Sequence, residues 1–388
     1  MLLIRNANVY APEALGIKDV LIANGKIVAI ENHIDSHAAI ASEWNAGGRI
    51  LTPGFIDQHI HILGAGGKHG FSSITPELTL SEIVACGSTT VVGLLGTDGC
   101  TKNVRNLFSK AKALDQEGLS TYIFTGYYGL DPVYIMDSVQ EDILFIDKVI
   151  GCKIAISDIR SSYPTALELV RILREVMVGG MIANKKGILH LHLGALKSKM
   201  DVLFELVEDY EFPIQYISPT HVARTKELFD EAIRFAKLGG MIDITTGASK
   251  YTAPYLAVLY ALEQGVSIDK MTFSTDGNAG LDKRDESGKV VGVRRAPIDA
   301  NLKEVVDLIQ KGGLPIEKAI KLVTTNPAVN LGLANKGRIK VGCDADFCCF
   351  TNNMELNDVI AKGVLMMEDK TVLVKGNYEP EDQPWHVK

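Results

Sequence analysis

No apolar run in this 388-residue chain approaches the length of a membrane span, and the opening MLLIRNANVYAPEALG reaches Arg5 after only three apolar residues beyond Met1, too few for the core of a secretory leader. The chain is therefore read as cytoplasmic, with no membrane partner. It also has no cluster of lysine and arginine interleaved with aromatic residues, and its formal charge of -7 is spread along its length. A nucleic-acid-binding face is not expected from such a distribution. The six cysteines show no C-x-x-C spacing. The adjacent pair Cys348 and Cys349 lies in an apolar strand pattern that sends one side chain to each face, so all six are read as reduced core residues. Low-complexity tracts are missing too, and a composition of 46% hydrophobic against 22% charged residues is that of a globular protein. A chain this long buries most of its apolar surface without disulfide or metal staples.

What is present divides into three stretches. Residues 1–50 read as short strands and turns, with Asn24-Gly25 between alternating apolar segments as a hairpin signal. From Leu51 the rhythm changes. LTPGFIDQHIH, TTVVGLLG, STYIFTGYY, KIAISD, ILHLHLG, IQYISPTH, MIDITT and MTFSTD are strand candidates. Amphipathic stretches such as KNVRNLFSKAKALDQEG, PTALELVRILREVMVGG and TKELFDEAIRFAKLGG separate them, several closed by the glycine expected just past a helix end. Eight such units predict an α/β fold, a (β/α)8 TIM-like barrel over 51–336. Strand patterns return over 337–388. Each β-rich end alone is too short to bury a core, so the two are expected to pair into one small β-sandwich domain.

Residues two apart on a strand share a face, so His59 and His61 point together, at the strand end where barrel active sites form. An isolated H-x-H is equally well a pair of hydrogen-bonded histidines. His192 ends the fifth strand candidate, His221 the sixth and Asp276 the eighth, and this set on one barrel face suits a metal. Imidazole and carboxylate ligands favour zinc or a similar divalent ion over calcium or magnesium. Lys153 falls on the fourth strand candidate in an apolar context. Two readings are open for it: an ion pair with Asp158 or Asp276, or reaction with carbon dioxide to a carbamate whose two oxygens bridge two metal ions.

PGFIDQHIH, the strand-four lysine, the single histidines of strands five and six, STDGN and the closing TTNPAVNLGL with KGRIKVGCDADF resemble the binuclear amidohydrolase superfamily. GFIDQHIH, VVGLLGTDG, CKIAISDIRS, PTHVAR and GGMIDITTG resemble, more closely, the isoaspartyl (β-aspartyl) dipeptidases, and the match runs in order along essentially the whole chain. The resemblance implies that His59, His61 and Asp276 hold a buried metal, that His192 and His221 hold an outer one, and that carbamylated Lys153 bridges both. His190, on the same face as His192, is assigned to the barrel interior. Asp276 would also move the proton, and Tyr128 would donate to the carbonyl oxygen as it becomes an oxyanion, with Tyr127 left to packing. Arg160 and Arg224 would hold substrate carboxylates, helped by Thr97 and the backbone of Gly66. The implied reaction is attack by a metal-bridging hydroxide on the β-aspartyl amide bond of a small acidic dipeptide. By the same analogy the enzyme is a homo-oligomer.

Two positions depart from the family pattern, and both fall on substrate contacts. Lys68 stands where an acidic residue grips the substrate α-ammonium, and Gly280 stands where a serine hydroxyl is usual. Three explanations compete: Lys68 points to solvent; Asp282, Asp285 or Glu286 replaces the lost acid; or the substrate lacks a free amine. The third keeps the chemistry and changes the substrate to an N-acylated or cyclic amide of an acidic amino acid. A non-catalytic scaffold of the same fold is the outside alternative, weakened by the retention of all six implied ligands.

Overall fold

A computed structural model describes residues 1–36, 40, 42–249 and 251–379. Residues 380–388 lie outside them. Eight parallel strands form one sheet: β1 (Phe55–Ile60), β2 (Ser88–Gly93), β3 (Ser120–Gly126), β4 (Val149–Ile156), β5 (Ile188–Leu193), β6 (Ile217–Thr220), β7 (Ile242–Thr245) and β8 (Met271–Ser274). All eight residues of β4 are buried, and every residue of β1 and β5 as well, as parallel strands covered on both faces require. A parallel bridge from Ile60 to Gly277 closes the barrel between its first and last strands.

Helices pack outside the strands and start where the sequence supplies caps. Asn103 caps the helix Val104–Gln116, Thr165 and Glu168 form a reciprocal capping box on Ala166–Ile182, and Thr225 caps Lys226–Lys237. Gly118 and Gly239, both at positive φ, follow two of these helices as expected. The third behaves differently: the helix runs through Gly179 and Gly180 to Ile182. A Cβ at Gly179 would lie 2.9 Å from Gln140 O, and one at Gly180 2.8 Å from Lys186 O. These two glycines serve close packing, not termination.

The chain ends meet in one nine-stranded sheet. Its junction is Ile50–Pro53, which pairs parallel with Leu2–Tyr10 on one side and antiparallel with Phe347–Phe350 on the other. Asn24 and Gly25 adopt positive φ in the turn joining Ala14–Ala23 to Lys26–Glu31, the turn chemistry that the dipeptide supplies. Cys348 packs into the barrel-side core and Cys349 into the core of the terminal sheet, one to each face. All six cysteines are free, and Cys100, read as a core residue, is exposed. Among the described residues no helix is long and apolar enough to cross a membrane.

Gly151, inside β4, has no room for a side chain: an added Cβ would sit 2.2 Å from Ile188 O on β5. Gly151→Ala is expected to cost about 1–3 kcal/mol through overpacking. The urea midpoint checks this, and an unchanged midpoint would contradict the close approach.

Candidate metal centre and active site

Strand ends bring five of the six implied ligands to one place. His59 is the last residue but one of β1 and His61 follows the strand; His192 is the last but one of β5; His221 and Asp276 lie one and two residues beyond β6 and β8; Lys153, the sixth, lies further back within β4. The last two adopt left-handed backbone, φ 63° and 51°, where the strand breaks into the loop. Aspartate and histidine enter that region more readily than most residues, at a cost of order 1–3 kcal/mol each. Ligand atoms of His59, His221 and Asp276 lie within 4.8 Å of one another. His61 Nε2 is 3.2 Å and His59 Nε2 3.4 Å from Asp276 Oδ1. The His192 ring centroid is 4.4 Å from that of His221.

Each histidine near Asp276 has one nitrogen engaged by the protein. His61 Nδ1 faces Leu94 O at 3.2 Å, His59 Nδ1 pairs with His190 Nε2 at 2.8 Å, and His221 Nδ1 bonds the Thr245 hydroxyl. This leaves His221 Nε2 buried without a partner. Such an orphan atom, beside a carboxylate and other oriented imidazoles, fits a divalent metal ion. Burial lowers His59 to about 4, against the upward pull of Asp276, and holds His192 and His221 well below the usual histidine range. Neutral imidazole is the ligand form. Burial pushes the Asp276 carboxyl upward, but His221 and the hydrogen bonds from His59 and His61 outweigh it and keep Asp276 ionised.

Lys153 is fully buried, and its Nζ donates to Leu95 O. No ion pair with Asp158 or Asp276 forms among the described residues. Burial lowers its ammonium to about 7. A neutral amine is available there, as addition to carbon dioxide requires. Lys153 Nζ lies 4.7 Å from the Tyr128 ring centroid, and the Tyr128 hydroxyl is 2.9 Å from His192 Nδ1. Tyr127 instead fills space against Gly99 and Gly129, where an added Cβ would meet its ring and hydroxyl. The reading of Tyr127 as a packing residue agrees with this.

A cavity of about 1210 Å³ opens above the cluster, with Gly66, Thr97, Tyr128, Arg160, Arg224 and Gly280 in its wall. The two arginines differ. Arg160 spends its fork on Asp158, with Nε to Oδ1 at 2.9 Å and Nη2 to Oδ2 at 2.7 Å, and Asp158 Oδ2 also meets His192 Nε2 at 3.1 Å. Arg224 makes only a 3.4 Å contact from Nη2 to His192, and its Nε is buried without an acceptor. Lys68 does not simply face solvent: its Nζ donates to Asp282 at 2.7 Å. Asp285 is absorbed by the turn of its own hairpin, binding Ser287 and the backbone N–H of Lys289.

Sequence reasoning missed three features. Asp158 orients both His192 and Arg160; the signal was the D-x-R spacing, two residues apart at a strand end. The stretch after β8 folds into a hairpin, Gly280–Arg284 with Val290–Arg295, whose mostly exposed residues lack a one-sided apolar pattern. His190 leads into a buried chain, through Ser218 at 3.2 Å to Asn330 and on to Gln58, each at 3.0 Å.

The sequence profile of the amidohydrolase family matches residues 183–366. The solved β-aspartyl dipeptidase from Fervidobacterium islandicum AW-1, in complex with β-Asp-Leu dipeptide, is 42% identical, with a TM-score of 0.88 over 96% of this chain and 98% of that one. A dihydroorotase from Elusimicrobium minutum is 24% identical over 89% of this chain and 86% of its own length. The L-hydantoinase (dihydropyrimidinase) from Arthrobacter aurescens shares the fold, with 15% identity and a TM-score of 0.64 over 97% of this chain and 98% of that one.

The His59–His190 contact yields a measurement. His190→Leu removes the group that fixes the His59 ring, and metal affinity is expected to fall about 10–100-fold. Chelator competition reads the affinity, with circular dichroism as the folding control. Unchanged affinity would mean that His190 is only packing.

Proposed function

This chain is a hydrolase of the amidohydrolase family, in its β-aspartyl dipeptidase branch, and from that membership we propose that it cleaves the β-aspartyl (isoaspartyl) amide bond of small acidic dipeptides. One observation carries the reading: a buried histidine–aspartate cluster lies beneath the same cavity wall that holds Arg224, a cation with a buried Nε short of an acceptor. A donor set for divalent ions thus stands beside a holder for a carboxylate. The β-Asp-Leu bound to the F. islandicum enzyme supports the same substrate class here.

In this proposal His59, His61 and Asp276 would hold one divalent ion and His192 and His221 a second, with Lys153, as a carbamate, a further ligand. The carbamate forms when the neutral Lys153 amine bonds to the carbon of CO2 and releases a proton. Neutral imidazoles with a carboxylate favour zinc. Bound there, two ions supply hydroxide at neutral pH and polarise the scissile carbonyl. Asp276 accepts the proton released during attack and returns it to the leaving amine nitrogen. Tyr128, kept protonated because burial raises its pKa, donates its O–H to the carbonyl oxygen as charge develops. Arg224 takes a substrate carboxylate in a two-point fork. Arg160, its plane fixed by Asp158, offers its remaining N–H groups to another, with Thr97 and the Gly66 backbone lining the same end.

A second reading has an observation of its own. A cation, Lys68, in the cavity wall suits an N-acylated or cyclic amide of an acidic amino acid better than a free ammonium.

The test is hydrolysis by zinc-loaded protein of β-linked Asp-Leu, free and N-acetylated, against α-linked Asp-Leu. Cleavage confined to the β-linked compounds is expected; cleavage of the α-linked peptide at a similar rate would sink the proposal. Asp276→Asn is expected to lower kcat by about 10²–10⁴ with metal still bound. Retained turnover would remove its proton-transfer role.

A further inference from the structure

Lys68 and Gly280 lie on two sides of one seam. The loop after β1 and the hairpin after β8 meet backbone to backbone: a Cβ on Gly280 would stand 2.9 Å from the Gly66 Cα. A serine at 280 has no room in this arrangement. The contact sets the start of the hairpin against the loop, and two residues on, Asp282 reaches across it. Asp282 Oδ2 accepts from Lys68 Nζ at 2.7 Å and from Arg284 Nη2 at 2.9 Å, while Oδ1 meets His69 Nε2 at 2.9 Å. The Lys68 loop is itself braced: Ser73 Oγ accepts from His69 N–H at 2.9 Å and donates to Gly70 O at 2.7 Å.

A count of donors and acceptors decides what this wall can receive. Lys68 has three N–H donors and uses one on Asp282. Arg284 has five and uses one on Asp282 and one on Gly288 O, at 2.7 Å. Asp282, the carboxylate of the seam itself, already takes three partners, all from basic side chains. Within the seam, spare donors on Lys68 and Arg284 outnumber the acceptor sites left on Asp282. Arg294, from the facing strand, adds a further cation to the same cavity wall. A substrate ammonium brings donors and positive charge to a place that has both in excess. An acyl carbonyl brings the acceptor that the place is short of.

We infer that the Lys68–Asp282–Arg284 seam is a specificity element that selects β-aspartyl amides whose α-nitrogen is acylated, the acyl oxygen accepting from Lys68 and the seam rejecting the free ammonium. The inference rests on the proposed β-aspartyl hydrolysis and narrows its substrate class. Asp282 positions Lys68 and does not replace the missing acid.

The test measures kcat and KM of zinc-loaded wild type, Lys68→Met and Lys68→Glu for β-Asp-Leu and N-acetyl-β-Asp-Leu, with thermal midpoints as the folding control. Wild type is expected to favour the acetylated compound at least tenfold in kcat/KM, mainly through KM. Lys68→Met is expected to erase that preference, and Lys68→Glu to reverse it. Equal or better cleavage of the free dipeptide by wild type would overturn the inference while leaving β-aspartyl hydrolysis intact. A preference that survives in Lys68→Met would overturn the assignment to this seam. If neither compound is cleaved, the β-aspartyl reading fails and the inference falls with it.

Discussion

Closure of the barrel between β1 and β8 is the constraint on which the site depends. His61 and Asp276 are 215 positions apart in the chain, and they meet only because the first strand completes the sheet against the last. The hydrogen bonds of closure are made by the functional residues themselves: Asp276 N–H donates to His59 O at 3.0 Å, and His61 N–H to Gly277 O at 2.9 Å. Asp57 reinforces the join, accepting from the Thr275 N–H and hydroxyl. Asn278, itself at positive φ, donates to His61 O and Pro76 O at 2.9 and 2.7 Å. Backbone strain at Asp276 and Asn278 is thus offset by bonds that also fix the direction of the side chains.

Burial then sets the chemistry of what closure assembles. An ionised group taken from water into a protein interior costs several kcal/mol unless it is paired, so most groups there shed their charge. His59, His192 and His221 lose theirs, and Lys153 comes within reach of neutrality. Asp276 keeps its charge because hydrogen bonds from His59 and His61 hold it. An anion beside the neutral imidazoles of His59 and His221 attracts a cation. The cluster of His59, His221 and Asp276 is for that reason a candidate site for a divalent cation. The same burial explains the polar chain beneath: His190, Ser218, Asn330 and Gln58 satisfy one another where no solvent reaches.

The parts of this structure that were legible in the sequence are those fixed by strand periodicity. The H-x-H pair, the terminal histidines of β5 and β6 and the aspartate beyond β8 are visible because alternation assigns a face and a strand end assigns a depth. Gly118 and Gly239, just past two helix ends, and Asn24-Gly25 are visible because local backbone geometry demands particular residues. What stayed hidden depends on contacts between segments that share no period. Arg160 reads as an unpaired cation until Asp158 is seen to take its fork. Gly179 and Gly180 read as a helix end until the neighbouring backbone shows why no Cβ fits. Cys100 reads as core because nothing local distinguishes an exposed loop cysteine from a buried one.

The seam above the histidine–aspartate cluster separates two kinds of constraint within one cavity. Below it, each side chain is held by strand register and by at least one bond to the barrel, so moving one ligand disturbs closure, packing and charge balance together. Above it, Lys68 and Asp282 belong to a loop and an exposed hairpin that touch mainly each other. Lys68 is 61% exposed, so solvent screens its pairing, and altering it costs the fold little. Charge at the cavity wall can therefore change sign without disturbing the histidine–aspartate cluster below it. A barrel of this design keeps its bond-breaking chemistry in the strands and leaves the choice of substrate to the loops. Lys68 and Gly280 lie where that division predicts departures from a family pattern, on the substrate side of the boundary and on both faces of a single contact.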